Sequence, residues 1–156
     1  MVGKPYTLEI EKYQRFTDKK ISGVMFSLTE EGKNSSTIKV TNKDGKIIIP
    51  NLFIEKIYIL KEENNTDDYV LNNKEIKFYT YLGKNAEGKE ILQIVHINDD
   101  GTYSKLNDIY YYVRNATTSE NTDEFSAKLE IDNEIKSKLK IKKTDSVTGE
   151  TLKNIK

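Results

Sequence analysis

The sequence contains no cysteine, only two prolines and a single histidine. Without thiols there is no disulfide framework, which fits either a disulfide-free surface protein or chance. One histidine, His96, with no cysteine beside it leaves almost nothing from which to build a metal centre or a nucleophile–histidine triad. No apolar run is long enough to span a bilayer, and no signal peptide precedes the first strand-like segment. Neither sign of charge dominates. The 25 basic and 25 acidic side chains cancel, leaving no basic footprint for nucleic acid and no polybasic membrane patch.

What is present is enough for one core, with a fragment of a second, in 156 residues that are 36% hydrophobic and 32% charged. Short apolar or alternating stretches recur at Leu8–Lys12, Ile21–Leu28, Thr37–Thr41, Ile47–Phe53, Lys56–Leu60, Tyr69–Leu71, Glu75–Tyr81, Ile91–Ile97, Ile109–Val113 and Ala127–Ile131. Turn chemistry separates them, including Asn42-Lys43-Asp44-Gly45, Asn85–Gly88 and Asn98–Gly101. Regular short strands without a helical period predict an all-β sandwich. Asn98–Gly101 lacks the later acidic ligands of a calcium loop and reads as a hairpin turn, so no metal and no cofactor is expected.

The opening strand has an anomaly. Leu8 and Ile10 share one face, and the next residue on that face is Lys12. Near the other end, Leu139, Ile141 and Lys143 repeat the device, and an ungapped overlay also pairs Thr17 with Thr148 and Ile21 with Leu152. Residues 1–138 are therefore read as one domain and 139–156 as the first strand and turn of a following repeat. Two further strands end in the same way. Tyr58 and Leu60 lie in phase with Glu62, and Leu129 and Ile131 with Asn133.

A single polar residue at a strand end reaches solvent by snorkelling. A lysine, a glutamate and an asparagine together have complementary chemistry. Burial disfavours their charged forms, so the lysine loses its proton more easily and the glutamate retains one. A neutral amine is a nucleophile, and a protonated carboxyl can donate a hydrogen bond to an amide carbonyl and steady the oxyanion formed on attack. The carboxamide is the electrophile and ammonia the leaving group. Contact between the groups supplies roughly 7–11 kcal/mol of the barrier. Asn115, which continues the face of Ile109, Tyr111 and Val113, is the alternative acceptor.

Several of these segments resemble the collagen-adhesin B-type, or SpaA-type pilin, domains of Gram-positive surface proteins. The similarity lies in Lys12 followed by Ile21–Phe26, in Asn42–Lys46 running to Asn51-Leu52, and in Tyr58–Glu62 with Tyr69 seven positions on. It continues in Leu129–Asn133, Lys142–Asp145 and Thr148–Glu150. Tyr13-Gln14, Thr66 and Asp68 depart from the family pattern. The resemblance implies a transthyretin-like (Ig-like) β-sandwich with an autocatalytic Lys12–Asn133 isopeptide bond and Glu62 as proton-handling catalyst. No nucleophile–base pair or metal set is visible, so a multiple-turnover enzyme is not expected; the resemblance implies a cross-linked module of an adhesin or pilin that resists force and proteolysis. Its location would be extracellular and wall-anchored, and its partners neighbouring repeats and a host protein or glycan. The long spacing from Glu62 to Asn133 implies an inserted hairpin within 80–124, which as a ligand-binding surface is the alternative function. Lys143 would be the donor of the following repeat.

Overall fold

The computed structural model describes residues 4–72, 74–106, 113–119 and 124–136. Lys143, the tail 139–156 and Tyr110–Tyr112 lie outside the described residues. Among those residues the fold is all-β, with no α-helix. The strands are β1 (Pro5–Gln14), β2 (Met25–Glu30), β3 (Ser36–Val40), β4 (Lys46–Phe53), β5 (Ile57–Asn64), β6 (Ile76–Lys84), β7 (Glu90–Ile97), β8 (Tyr103–Ser104), β9 (Val113–Thr118) and β10 (Phe125–Asn133).

They form two sheets, one ordered β4-β1-β10-β9 and the other β3-β2-β5-β6-β7-β8. In β10 the burial alternates without a break, so Phe125, Ala127, Leu129, Ile131 and Asn133 all face inward. Tyr6, Leu8 and Ile10 of β1 and Tyr58 and Leu60 of β5 join the four apolar residues among these in one hydrophobic cluster. This is the period-2 geometry of strands with one dry face. The first and last strands are parallel neighbours, with Lys12 opposite Ile131 and Gln14 opposite Asn133. The ends of β1 and β10 therefore meet at the same pole of the sandwich.

The described residues 80–104 continue the second sheet, and 113–118 belong to the first. β6 pairs with β5 and β7, and β8 pairs with β7 across the Asn98–Gly101 turn. Nothing among the described residues sets this region apart as an inserted hairpin. Two expectations shift. Tyr69–Leu71 forms no named strand, only a single bridge from Tyr69 to Ile135. Conversely Ala116–Thr118, which lie outside the strand-like stretches read from the sequence, belong to β9. That strand is an edge, and its half-exposed polar alternation carries little hydrophobic signal.

A polar layer covers the outer face of the first sheet. Glu11 there is only 2% exposed. Its carboxylate lies 2.6 Å from Lys128 Nζ, 3.0 Å from Lys20 Nζ and 3.7 Å from Lys46 Nζ. Burial pushes this carboxyl up, but the two nearer lysines outweigh it and hold it at about 2.

Candidate functional site

The site is assembled from strand ends. Lys12 extends the inward face of β1, and its backbone is clamped on both sides. Its N–H donates to the Gly45 carbonyl at 2.9 Å, and its carbonyl accepts from the Ile21 N–H at 3.0 Å. Gly45 has φ +72°, and a Cβ there would lie 2.9 Å from Lys20 Cβ and 3.2 Å from the Lys12 carbonyl oxygen. Only glycine satisfies both demands. The Asn42–Gly45 turn thus sets the height of the lysine on its strand.

Lys12 and Glu62 are both fully buried, with Lys12 Nζ 3.1 Å from Glu62 Oε1. The two strands stand in different sheets, so the contact crosses the core. Phe26, opposite Glu62 on β2, places its ring 5.7 Å from the ammonium and excludes water from that side. Burial pushes the Lys12 amine down to about 8, against the raising pull of the Glu62 carboxylate. A pair of this kind has no ready stability rationale. Desolvating two charges costs several kcal/mol per ion, and apolar replacements of such pairs are often neutral or better.

Asn133 is 2% exposed at the end of β10. Its carboxamide nitrogen donates to Glu62 Oε2 at 3.0 Å and to the Val70 carbonyl at 2.8 Å. A main-chain carbonyl can only accept, so the nitrogen must occupy that position. One carboxylate therefore touches both nitrogens, Lys12 Nζ through one oxygen and Asn133 Nδ2 through the other. This corrects the orientation expected from sequence, in which the carboxyl addresses the amide carbonyl. In the structure it faces the nitrogen that would depart.

Asn115 lies elsewhere. It is exposed on β9 opposite Glu130, whereas Val113 is buried opposite Ile131. Arg114 is the extra residue of a β-bulge between them, and the bulge ends the phase that would have carried Asn115 inward. The bulged Arg114 is put to another use. Its guanidinium lies 2.8 Å from Asp132, 4.3 Å from the Tyr13 ring and 2.6 Å from the Thr17 carbonyl. These contacts tie the turn after β1 to the end of β10.

The loop between β5 and β6 supplies groups that sequence reasoning missed. Asn65 Nδ2 and the Asn72 main-chain N–H each donate to Glu62 Oε2 at 3.2 Å. The same loop is tied to the chain after Asn133, with Val70 N–H donating to the Glu134 carbonyl and Lys136 N–H to the Asp68 carbonyl, both at 2.8 Å. Main-chain donors and acceptors leave no mark in a residue pattern. Asn65, in an Asn-rich stretch, was legible only by its distance of three residues from Glu62.

Comparison with known proteins places the fold. A family model described as SpaA, a prealbumin-like fold domain, matches residues 6–92. No curated protein sequence matches the chain. The C-terminal fragment of the pilus adhesin SpaC from Lactobacillus rhamnosus GG superposes with a TM-score of 0.57 at 16% identity, covering 86% of this chain and 47% of that one. The minor pilin GBS52 of Streptococcus agalactiae gives 0.52 at 15% identity, covering 94% and 50%. The group B streptococcus pilus 2b backbone protein gives 0.52 at 18% identity, covering 86% and 43%. The chain thus spans half or less of the length of each of these proteins. At such identities the likeness is one of fold.

Proposed function

Since this chain belongs to the SpaA family of prealbumin-like fold domains, we propose that it is a structural module of a Gram-positive pilin or adhesin, stabilised by a self-formed bond between Lys12 and Asn133. The observation that carries this reading is the buried Glu62 carboxylate in contact with both the Lys12 and Asn133 nitrogens. The family match includes Lys12 and Glu62, and the structural relatives are pilus proteins by name.

The chemistry balances within the residues present. Glu62 takes one proton from the Lys12 ammonium, leaving a neutral amine. The amine attacks Cγ of Asn133, and the Cγ–Nδ2 bond breaks. A second amine proton is carried by the Glu62 carboxyl to the departing nitrogen, which leaves as ammonia. The products are one amide, one ammonia and a protonated Glu62. Burial makes the first transfer feasible by destabilising the charged pair, and contact removes the need for a bimolecular encounter. The reaction occurs once per molecule, so the module is not a turnover enzyme.

In this reading residues 1–138 form the module and 139–156 open a following repeat, with Lys143 as its donor. The neighbouring repeats are then its standing partners, and its place is the outer surface of a Gram-positive cell, anchored to the wall through the parent chain. Intact mass tests the proposal. The wild-type chain should weigh one ammonia less than its sequence, and Lys12→Ala and Glu62→Ala should each restore the full mass. A wild-type chain of full mass after complete folding overturns it.

A further inference from the structure

The same site contains a residue whose work is separate from the three reacting groups. We infer that Asn65 is a positioning residue for cross-linking: its carboxamide fixes the plane of the Glu62 carboxyl so that one oxygen faces Lys12 and the other faces Asn133. The inference rests on the reading that Lys12 and Asn133 become joined.

Glu62 Oε2 receives three N–H groups, from Asn65 Nδ2 at 3.2 Å, the Asn72 main chain at 3.2 Å and Asn133 Nδ2 at 3.0 Å. Oε1 faces Lys12 Nζ at 3.1 Å. An ammonium is a point charge and does not fix the plane of a carboxylate, which is free to turn both oxygens toward Lys12. In that pose it would lose Asn133 and could not carry a proton between the two nitrogens. The donors on Oε2 oppose the rotation.

Asn65 is itself held in one orientation. Its Oδ1 accepts from the Thr66 N–H at 2.7 Å, and its own N–H donates to Asn64 Oδ1 at 2.8 Å. With its carbonyl committed to Thr66, its amide nitrogen is turned to Glu62. The residue is only partly buried, so its contribution to the hydrophobic core is small. Its loop also carries the Val70 carbonyl that holds the second hydrogen of Asn133. One segment thereby aligns catalyst and acceptor together.

The test uses the full chain made by cell-free synthesis, collected in denaturant before the bond forms and released into folding buffer. Ammonia loss is followed by intact mass against time and pH, with far-UV circular dichroism to score the folded fraction. Asn65→Asp keeps the shape and the acceptor for the Thr66 N–H but removes the donor. It is expected to slow cross-linking at least about tenfold in the folded fraction. The acid limb of its rate profile should move to higher pH, because an N–H donor favours the ionised carboxylate it touches. Asn65→Ala should behave similarly, and if it fails to fold the aspartate variant carries the test. A structural role alone would lower the folded fraction and leave the profile of the folded molecules in place. Variants that match the wild type in rate and profile overturn this inference while leaving the Lys12–Asn133 bond intact. A wild-type chain that never loses ammonia overturns both.

Discussion

Replacing Asn133 by alanine separates the covalent bond from the charge pair beneath it. Lys12 and Glu62 remain, but no acceptor is left, so the variant should have its full sequence mass. The proposed Lys12–Asn133 bond would close a loop of about 120 residues, and the chain-entropy argument assigns such a closure about 4–5 kcal/mol. For a chain of this size that corresponds to a fall in melting temperature of roughly 10–20 °C. The sharper signature lies in pH. Burial holds the unlinked Lys12 amine at about 8, against a reference value of 10.5, and the variant keeps the residue unlinked. Between these values the unfolded chain binds more protons than the folded one, so stability rises with pH. The gain from pH 8 to 10 should be about 2–3 kcal/mol. In a wild type joined through the proposed bond, position 12 would be an amide with no such proton to lose. Lys20 and Lys128 are raised by Glu11, and the tyrosines Tyr6 and Tyr58 are raised by burial. They act at the alkaline end and are common to both proteins. Urea unfolding at intervals from pH 7 to 10 should therefore show the gap between wild type and variant narrowing as pH rises. A gap independent of pH would refute the assignment of a strained, ionisable Lys12 to the unlinked state.

Two further expectations concern the scaffold. Gly45→Ala must place a side chain at positive φ and against Lys20 and the Lys12 carbonyl, which should cost about 1–3 kcal/mol and slow ammonia loss by displacing β1; unchanged unfolding and unchanged cross-linking would count against the clamp. Glu11, held at about 2 by its lysines, contributes stability that is complete above its reference value of 4.5 and is lost as pH falls toward 2. Glu11→Gln should flatten the dependence of the urea midpoint on pH in that window, and a variant with the wild-type acid limb would show that other carboxylates dominate it.

Much of the fold was legible because strands carry their geometry in the sequence at period 2. The inward runs ending in Lys12, Glu62 and Asn133 needed no information from elsewhere in the chain. What failed to show depended on events between strands. A single bulged residue, Arg114, put Asn115 into solvent, and nothing in the residues around it announces the bulge. Glu11 sits on the polar side of β1 by pattern yet is buried, because lysines from β4, β10 and the β1–β2 turn close over it. Two of the donors on Glu62, from Asn65 and Asn72, come from the loop between β5 and β6, and two of the groups that align the site, the Val70 carbonyl and the Asn72 N–H, are main-chain atoms.

The parallel alignment of β1 and β10 has a consequence that precedes any chemistry. The chain enters at one pole through Pro5 and leaves at the opposite pole through Asn133, so pulling on the two ends slides these strands past each other lengthwise. The nine paired positions from Tyr6 and Phe125 to Gln14 and Asn133 then share the load in shear. None can open ahead of the others, as rungs do when a hairpin is unzipped from its end.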